Sequence, residues 1–506
     1  MQLYLHATIL ACKYSCRSGA IMVNPLVDRV GEQRSLRALL KRAGPSMAVL
    51  YGRRRVGKTY LLKHTWSAGH VFYFTAVDGT SELNRRALLE AVSRFSGQAI
   101  NERDYATWRR VFELLLELGK PGPTVVILDE YQYLHGDPSD NVDSALAAVW
   151  EHYVNLRPKG SPFVLVLCGS IVRVMERLDA PDNPLHGRLD WKGHLDPFDY
   201  FDAAAMARFR SPRDRALAYG IYGGTPRYLA SINPRRSLTS NVAEAVLSPA
   251  GAVRGQVETI VTQEHGLRDI AEYSAVLNAI GAGATERNEI AQQTGLANDF
   301  SLRAKLDMLI ELGFVTVWRN FDAKTNTPLR YRVTDPALRF YYGIVTRYRN
   351  ELERSEPLHV WKTYIMRELD AYMGLVFESI AEQAYTRLRG TARLPTIREW
   401  GRWEGLDRNR QQIEIDVVAR CTDGKMLTGA VKWSHKPVSV SVHARHVEML
   451  QRLSESGHKW AREALQPDAI LLYVAAGGFE SGAIKQMQTA GPAVVPWRLE
   501  DLYEGS

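Results

Sequence analysis

The amino-acid sequence predicts an α/β protein of several domains, built on a parallel sheet. Near-continuous apolar runs occur at residues 47–51, 71–74, 124–128 and 163–167, and amphipathic stretches such as residues 108–118 lie between them. Strands that are buried on both faces of a parallel sheet have such runs, and strand–helix alternation is typical of an α/β sandwich. The length of 506 residues exceeds that of one domain of ~150 residues, so we expect about three domains.

Helical periodicity replaces this alternation after about residue 213. Three helices and two short strands are then predicted, at residues 270–282, 286–294, 299–312, 314–318 and 329–333. Three helices followed by a hairpin predict a winged helix-turn-helix. From about residue 361 helices and strands alternate again, which predicts a separate C-terminal α/β unit.

The composition argues against a membrane protein and against a disulfide-bonded one. No apolar run reaches the ~18 residues of a membrane span, so no membrane partner is expected. The four cysteines, Cys12, Cys16, Cys168 and Cys421, form no paired sets typical of zinc sites. A reducing cytoplasm is therefore the expected location.

The chain is basic, with a formal net charge of +8. Such a balance favours a polyanion as a partner, although a solvated basic surface accounts for it equally well. DNA is the expected partner, and a second copy of the chain, in a homo-oligomer, is a further candidate partner.

A phosphate-binding loop is predicted at residues 52–59, which read GRRRVGKT. The pattern GxxxxGK[ST] lies between a predicted strand and a predicted helix, the context in which backbone amides and the helix N-terminus bind phosphate. Lys58 is expected to contact the β- and γ-phosphates of ATP, and the Thr59 hydroxyl to bind Mg²⁺. The expected nucleotide-binding residues are Gly52, Arg53, Arg54, Arg55, Val56, Gly57, Lys58, Thr59 and Tyr60.

Further catalytic candidates follow the next strongly apolar runs. Asp129 and Glu130 end one run, where the aspartate is expected to hold Mg²⁺ and the glutamate to deprotonate the attacking water. Ser170 ends the following run and is a candidate contact to the γ-phosphate, although a plain strand-to-helix turn explains it equally well. Arg188 is a candidate for neutralising the charge of the transition state.

These residues resemble the archaeal-type AAA ATPase family, which also occurs in bacteria and is related to STAND NTPases. The P-loop NTPase core of that family is matched at residues 26–29, 51–62 and 127–134. Residues 222–229, which read YGGTPRYL, resemble the Gly-x-Pro motif of the family's helical lid. The resemblance implies that Pro226 lies near the nucleotide base.

The C-terminal unit looks like the restriction-endonuclease-like fold, the PD-(D/E)xK class. The resemblance implies that Glu378, Asp416 and Lys432 are the remaining nuclease residues. The position two before the lysine is Ala430, whose methyl group cannot bind a cation, so the acid pair that normally shares the metal is incomplete. Glu414 offers a replacement, because it precedes Asp416 by two residues and points to the same face of a strand.

The resulting organisation is an α/β protein with an AAA-like core. The expected units are a disordered leader at residues 1–25, the ATPase core at 26–205, the helical lid at 206–265, the winged helix-turn-helix at 266–345, a connecting helix at 346–365 and the nuclease-like domain at 366–506.

Two further groups of residues, the basic residues of the winged unit and a pair of histidines, are considered as possible binding sites. Arg303 and Lys305 on the third helix of the winged unit are candidate phosphate contacts, as are Arg319, Lys324 and Arg330 in its wing. His443 and His446 have the spacing of a metal pair, but they have no cysteine or carboxylate partner at matching spacing. We therefore expect them on an exposed helix face.

Three functions stay open at this point. The leading one is an ATPase whose nucleotide state controls a DNA-associated winged helix and a nuclease-like domain of doubtful activity. The second is a STAND-like ATP switch with a non-catalytic recognition domain. The third is an active Mg²⁺-dependent DNA nuclease that uses Glu414.

Overall fold

The computed structural model describes residues 27–504, except for residues 67–70, 119–124, 136–140, 157–161, 265–266, 268 and 490. The expected leader at residues 1–25 lies outside the described residues. Within the described part of the chain, no helix is both long and apolar enough to cross a bilayer.

The N-terminal part is built on a five-stranded, entirely parallel sheet. Its strands are β1 (Pro45–Tyr51), β2 (Val71–Thr75), β3 (Val125–Asp129), β4 (Phe163–Gly169) and β5 (Trp191–His194). They lie in the order β2-β3-β4-β1-β5. The first four confirm the predicted strands, but β5 was missed because its four residues, WKGH, lack a continuous apolar run.

Helices cover both faces of this sheet, which explains the continuous apolar runs of its central strands. They are α1 (Val30–Leu39), α2 (Lys58–Thr65), α3 (Ser81–Ser96), α4 (Trp108–Glu117), α5 (Val142–Leu156) and α6 (Val172–Arg177). Alternate residues of β1 point to opposite faces, so Val49 packs with the α3–α5 layer and Leu50 packs with α1 and α2.

The next part is helical, as predicted. Its helices are α7 (Tyr200–Ala207), α8 (Pro212–Tyr222), α9 (Pro226–Leu229), α10 (Leu238–Val242) and α11 (Ala252–Glu258), with a π-helical turn (Ala243–Leu247) after α10. Then α12 (Ile270–Gly281), α13 (Arg287–Thr294) and α14 (Phe300–Glu311) lead into an antiparallel hairpin of β6 (Val315–Trp318) and β7 (Arg330–Val333). We call residues 270–333 the helix–hairpin unit.

Short helices connect this unit to the C-terminal part. They are α15 (Pro336–Phe340), a π-helical turn (Tyr341–Val345), α16 (Arg349–Arg354), α17 (Pro357–Val360) and a second π-helical turn (Trp361–Ile365), which continues into the long α18 (Met366–Leu388).

The C-terminal part is a mixed five-stranded sheet between two layers of helices. Its strands are β8 (Ile397–Leu406), β9 (Gln412–Cys421), β10 (Met426–Lys432), β11 (Ile470–Ala475) and β12 (Ala493–Arg498), in the order β12-β11-β10-β9-β8. One face packs on α18, and the other packs on α19 (Val440–Glu455), α20 (Lys459–Glu463) and α21 (Ala483–Met487).

One hydrophobic core runs through most of the chain after β5, whereas the face of the C-terminal sheet that packs on α19–α21 has a separate cluster. The main core begins at Phe198, continues through the helical part and the helix–hairpin unit, and ends at Tyr503 beside the C-terminal sheet. The parallel sheet has separate apolar clusters on its two faces. The chain therefore has two packed bodies, the parallel-sheet body and a downstream body.

Arg387 of α18 joins two carboxylates inside the downstream body. Its guanidinium donates to Asp199 at 2.8 Å and to Asp202 at 2.7 Å. All three side chains are less than a third exposed. Burial and the neighbouring Asp199 carboxylate raise the pKa of Asp202 to about 7.

We predict that Arg387→Gln destabilises the protein by about 1–3 kcal/mol at about pH 8, because two half-buried carboxylates lose their donor. A folded-state pKa above the unfolded value of about 3.9 means that the folded state takes up a proton between these values. Stability from this group is then lost as pH rises through about 7. The loss in Arg387→Gln should accordingly be smaller at about pH 5, where Asp202 is protonated.

Urea unfolding at both pH values measures this difference. The exposed Arg367, on the same helix, supplies the control Arg367→Gln, which should unfold like the wild type. An equal loss at both pH values would contradict the proposed role of the carboxylates.

Candidate functional site

The loop between β1 and α2 turns sharply at two glycines. Gly52 has a φ of +152°, and a Cβ there would lie 2.3 Å from the carbonyl oxygen of Leu195. Gly57, the residue before α2, has a φ of +98°. Only glycine adopts both conformations at low cost, so these residues set the loop at the N-terminus of α2.

Lys58 lies across this loop. Its ammonium group donates to the carbonyl oxygens of Gly52 at 2.7 Å and of Arg53 at 3.0 Å. The side chain is buried. The lysine is therefore held over the loop by backbone oxygens.

Thr59 and Asp129 meet at the carboxyl edge of the parallel sheet. The Thr59 hydroxyl donates to the Asp129 carboxylate at 3.0 Å, and the Tyr73 hydroxyl donates to the same carboxylate oxygen. Burial and the Asp129 charge raise the pKa of Tyr73 far above its usual value, so its hydroxyl stays a donor. Two oxygen ligands of the type that Mg²⁺ prefers thus lie side by side.

Glu130 and Ser170 also lie together, although 40 residues separate them in the chain. The Ser170 hydroxyl donates to the Glu130 carboxylate at 2.7 Å, and the Gln132 amide donates to it as well. Glu130 has a φ of +55°, an uncommon left-handed conformation for a side chain of this size. β3 and β4 are neighbours in the sheet, which brings these side chains together.

A cavity of about 610 Å³ lies between this loop and the downstream body. Of the expected site residues it is lined by Arg54, Arg55, Val56, Gly57, Lys58, Thr59, Tyr60, Glu130 and Pro226. Its wall also includes residues that were not among the predicted site residues, among them Val27, Arg29, Phe198, Arg208 and Arg227. Arg227 directly follows Pro226, so the Gly-x-Pro motif itself was the signal that could have identified it.

The three arginines of the loop reach three different elements. Arg53 lies against the Phe314 ring, 4.4 Å from its centroid, and near the Gly313 carbonyl oxygen. Arg54 donates to the Tyr133 hydroxyl at 2.7 Å. Arg55 donates to the Gln256 carbonyl oxygen at 2.9 Å and to the Gln263 side chain at 2.8 Å. Arg53 and Arg55 thus connect the loop to the downstream body.

Arg188 lies apart from this cavity. Its guanidinium donates to Glu151 at 2.8 Å and to the Pro184 carbonyl oxygen at 2.8 Å, and it is not among the residues lining the cavity. The structure therefore does not bring Arg188 together with Lys58 and Glu130.

A second cluster of charges lies in the C-terminal part. One carboxylate oxygen each of Glu378, Glu414 and Asp416 lies within 4.8 Å of the other two. Glu414 and Asp416 share one face of β9, as their spacing predicted. Lys432 donates to Asp416 at 2.8 Å. Burial raises the pKa of Glu378 to about 7, although the guanidinium of Arg402 opposes this shift.

Ala430 lines a cavity of about 440 Å³ together with Glu414, Asp416, Lys432 and His446. The expectation that the histidines lie on an exposed face is wrong for His446, which is 1% exposed. α19 packs this face on the sheet, so Thr428 contacts the His446 ring at 3.1 Å. Burial lowers the pKa of His446 to about 4.

The basic residues expected to contact phosphate differ in their surroundings. Lys305 pairs with Glu272 at 2.9 Å and is mostly buried, and Arg330 pairs with Glu404 and Glu286. Arg319 donates to the Thr327 carbonyl oxygen. Arg303 on α14 is 65% exposed, and Lys324 is also exposed.

Comparison with known proteins agrees with this site. Residues 26–232 match the model of an ATPase domain found predominantly in Archaea, and residues 341–447 match a family of archaeal and bacterial proteins of unknown function. An uncharacterized protein of Methanocaldococcus jannaschii is 24% identical over 421 residues, which are 80% of this chain and 87% of that protein.

Solved structures similar to the chain include the Walker-type ATPase of Pyrococcus abyssi, with a TM-score of 0.46 and 20% identity over 63% of this chain and 96% of that one. The ORC2 protein of Aeropyrum pernix, in its ADPNP and ADP complexes, has a TM-score of 0.42 and 18% identity over 65% of this chain and 96% of that one. The predicted family resemblance is confirmed by the match at residues 26–232: the chain carries an archaeal-type ATPase domain, joined to a C-terminal domain of a family of unknown function.

Proposed function

We propose that the chain binds Mg·ATP in the 610 Å³ cavity and hydrolyses it, and that the nucleotide state controls DNA contact by the downstream body. The observation that carries this proposal is the composition of the cavity wall. Lys58, Thr59 and Glu130 come from the parallel-sheet body, whereas Pro226 and Arg227 come from the downstream body. A nucleotide bound there would contact both.

The loop residues bind the phosphates. The backbone amides of residues 52–59 and the N-terminus of α2 supply donors, and Lys58 leaves its carbonyl acceptors to contact the β- and γ-phosphates. Thr59 and Asp129 would hold Mg²⁺, which neutralises charge on the phosphate oxygens. The apolar wall formed by Val27, Phe198 and Pro226 suits the base.

Glu130 is the proposed general base for hydrolysis. Its carboxylate accepts a proton from water as the water oxygen attacks the γ-phosphorus, and the bond from that phosphorus to the bridging oxygen breaks to release ADP. Ser170 holds the carboxylate in position through the 2.7 Å hydrogen bond. Arg188 is left out of this step because it does not line the cavity and its guanidinium donates to Glu151 and to the Pro184 carbonyl oxygen.

The exposed N-terminal end of α14 is the proposed DNA contact. Phe300, its first residue, is 83% exposed, and Arg303 lies one turn later. Helices of winged-helix type read the major groove with such residues. Arg330 and Lys305 are left out of this proposal because their ion-paired side chains are mostly buried, whereas Arg303, which lies 3.8 Å from Asp307, is 65% exposed.

We predict that Lys58→Ala abolishes ATP binding, whereas Glu130→Gln binds ATP but hydrolyses it about 10²–10⁴-fold more slowly. The lysine supplies charge to the bound phosphates, and the glutamate acts only on the attacking water. Calorimetry measures binding, and phosphate release measures turnover.

Lys41→Ala is the matched control, because Lys41 is exposed and outside the cavity wall. It should leave both measurements unchanged. Wild-type turnover in Glu130→Gln would rule out the assigned base.

We predict that Arg303→Glu weakens binding to duplex DNA and lowers the dependence of log Kd on log salt concentration by about one unit, since one phosphate contact is lost. Fluorescence anisotropy at several salt concentrations measures this. Arg109→Glu, an equally exposed substitution on α4, is the control.

Equal losses in both variants would indicate only the effect of net charge. A wild type without salt-sensitive affinity for DNA would refute the DNA proposal. Nucleotide-dependent changes of mass with turnover that DNA does not stimulate would favour the STAND-like switch instead.

A further inference from the structure

Arg402 of β8 lies beside the acid cluster formed by Glu378, Glu414 and Asp416. Its guanidinium donates to Glu378 at 3.1 Å and to Glu404 at 3.4 Å, and it also pairs with Glu414. Only 13% of its side chain is exposed. One arginine thus bridges two of the three clustered carboxylates, while Lys432 neutralises the third, Asp416.

The hairpin of the helix–hairpin unit holds Arg402 in this place. The ring of Trp318, at the end of β6, lies 5.1 Å from the guanidinium carbon of Arg402 and 5.1 Å from that of Arg330. The backbone amide of Phe321 donates to the Arg402 carbonyl oxygen at 2.8 Å. Arg330 pairs with Glu404, which Arg402 also contacts.

Further contacts extend this docking along β8, the edge strand of the C-terminal sheet. The Asn320 side chain donates to the Glu404 carbonyl oxygen at 2.6 Å and accepts from the Glu404 amide at 3.0 Å. Phe321 is 4% exposed and packs beside Trp403 and Trp460. An open edge strand offers unpaired backbone groups, and the hairpin pairs with those of Arg402 and Glu404 here.

A ligand site beside the cluster is indicated independently. The cavity of about 440 Å³ is lined by Glu414, Asp416 and His446. The imidazole of His446 is buried, and its Nδ1 has no hydrogen-bond partner among the described residues. A buried nitrogen without a partner is costly unless a ligand or water satisfies it.

We propose that Arg402 is an internal counter-ion which keeps divalent cations out of the acid cluster while the hairpin is docked on β8, and that release of the hairpin opens the cluster. A guanidinium and a metal ion compete for the same carboxylate oxygens, so only one of them occupies the cluster. The hairpin favours the guanidinium, because Trp318 and Phe321 hold Arg402 against Glu378 and Glu414. A partner that pulls on the helix–hairpin unit would therefore change the cation affinity of the C-terminal part.

Binding of Mn²⁺ to the full-length, nucleotide-free protein, measured by electron paramagnetic resonance, tests this proposal. We expect the wild type to bind Mn²⁺ weakly at the cluster and Arg402→Gln to bind it about tenfold more tightly or better, since the competing cation is gone. This gain in Mn²⁺ affinity should disappear when Arg402→Gln is combined with Asp416→Asn. Its disappearance would assign the bound Mn²⁺ to the acid cluster and not to Thr59 and Asp129. Arg398→Gln, at an exposed position of the same strand, should show no gain.

A second variant weakens the docking of the hairpin on β8 and leaves Arg402 unchanged. Trp318→Ala with Asn320→Ala should also raise the affinity for Mn²⁺, and this pair keeps the test decisive if Arg402→Gln does not fold. The proposal is overturned if the wild type already binds Mn²⁺ as tightly as Arg402→Gln, or if the hairpin variant shows no gain. ATP turnover is measured separately, so either result leaves the assignment of the ATPase site untouched.

Discussion

The hydrophobic core that runs from Phe198 to Tyr503 is the constraint on which the remaining structure depends. It packs the helical part, the helix–hairpin unit, α18 and one face of the C-terminal sheet into one body. Protein interiors are as densely packed as organic crystals, so parts that share a core do not slide past one another at low cost. The segments expected as a lid, a winged helix and a nuclease-like domain thus share this core, whereas Trp318 and Phe321 of the hairpin are not part of it and dock on β8 through contacts of their own.

Several contacts across the boundary between the two bodies are polar. Arg53 reaches Gly313, Arg55 reaches Gln256, and Arg173 pairs with Glu311 at 2.9 Å. Such contacts exchange for water at a small net cost, whereas opening a core does not. Under the proposed function, a change in the phosphate loop would cross the boundary by re-forming these polar contacts.

The sequence predicted what local patterns encode. The continuous apolar strands, the amphipathic helix α4 and the glycine loop followed from side-chain periodicity and from backbone conformations that only glycine adopts cheaply. The strand β5 escaped because its lysine and glycine break the apolar run. The environments of His446 and Arg188 were not predicted for a different reason. His446 is buried where α19 packs on the sheet, and Arg188 pairs with Glu151. Both depend on tertiary contacts that leave no local signal in the sequence.

The contacts of Arg402 at the acid cluster could not be predicted from the sequence either. Nothing in the run around it distinguishes Arg402 from Arg398, yet the fold buries one against two carboxylates and leaves the other exposed. Ala430 lines the same cavity as Glu414 and Asp416 and adds no charge to it. Three clustered carboxylates are balanced by Arg402, by Lys432 and by the elevated pKa of Glu378, whereas a fourth would add an unpaired negative charge in a half-buried place. The positive charges of Arg402 and Lys432 and the uncharged side chain of Ala430 therefore contribute to one electrostatic balance, in which protein side chains neutralise the cluster.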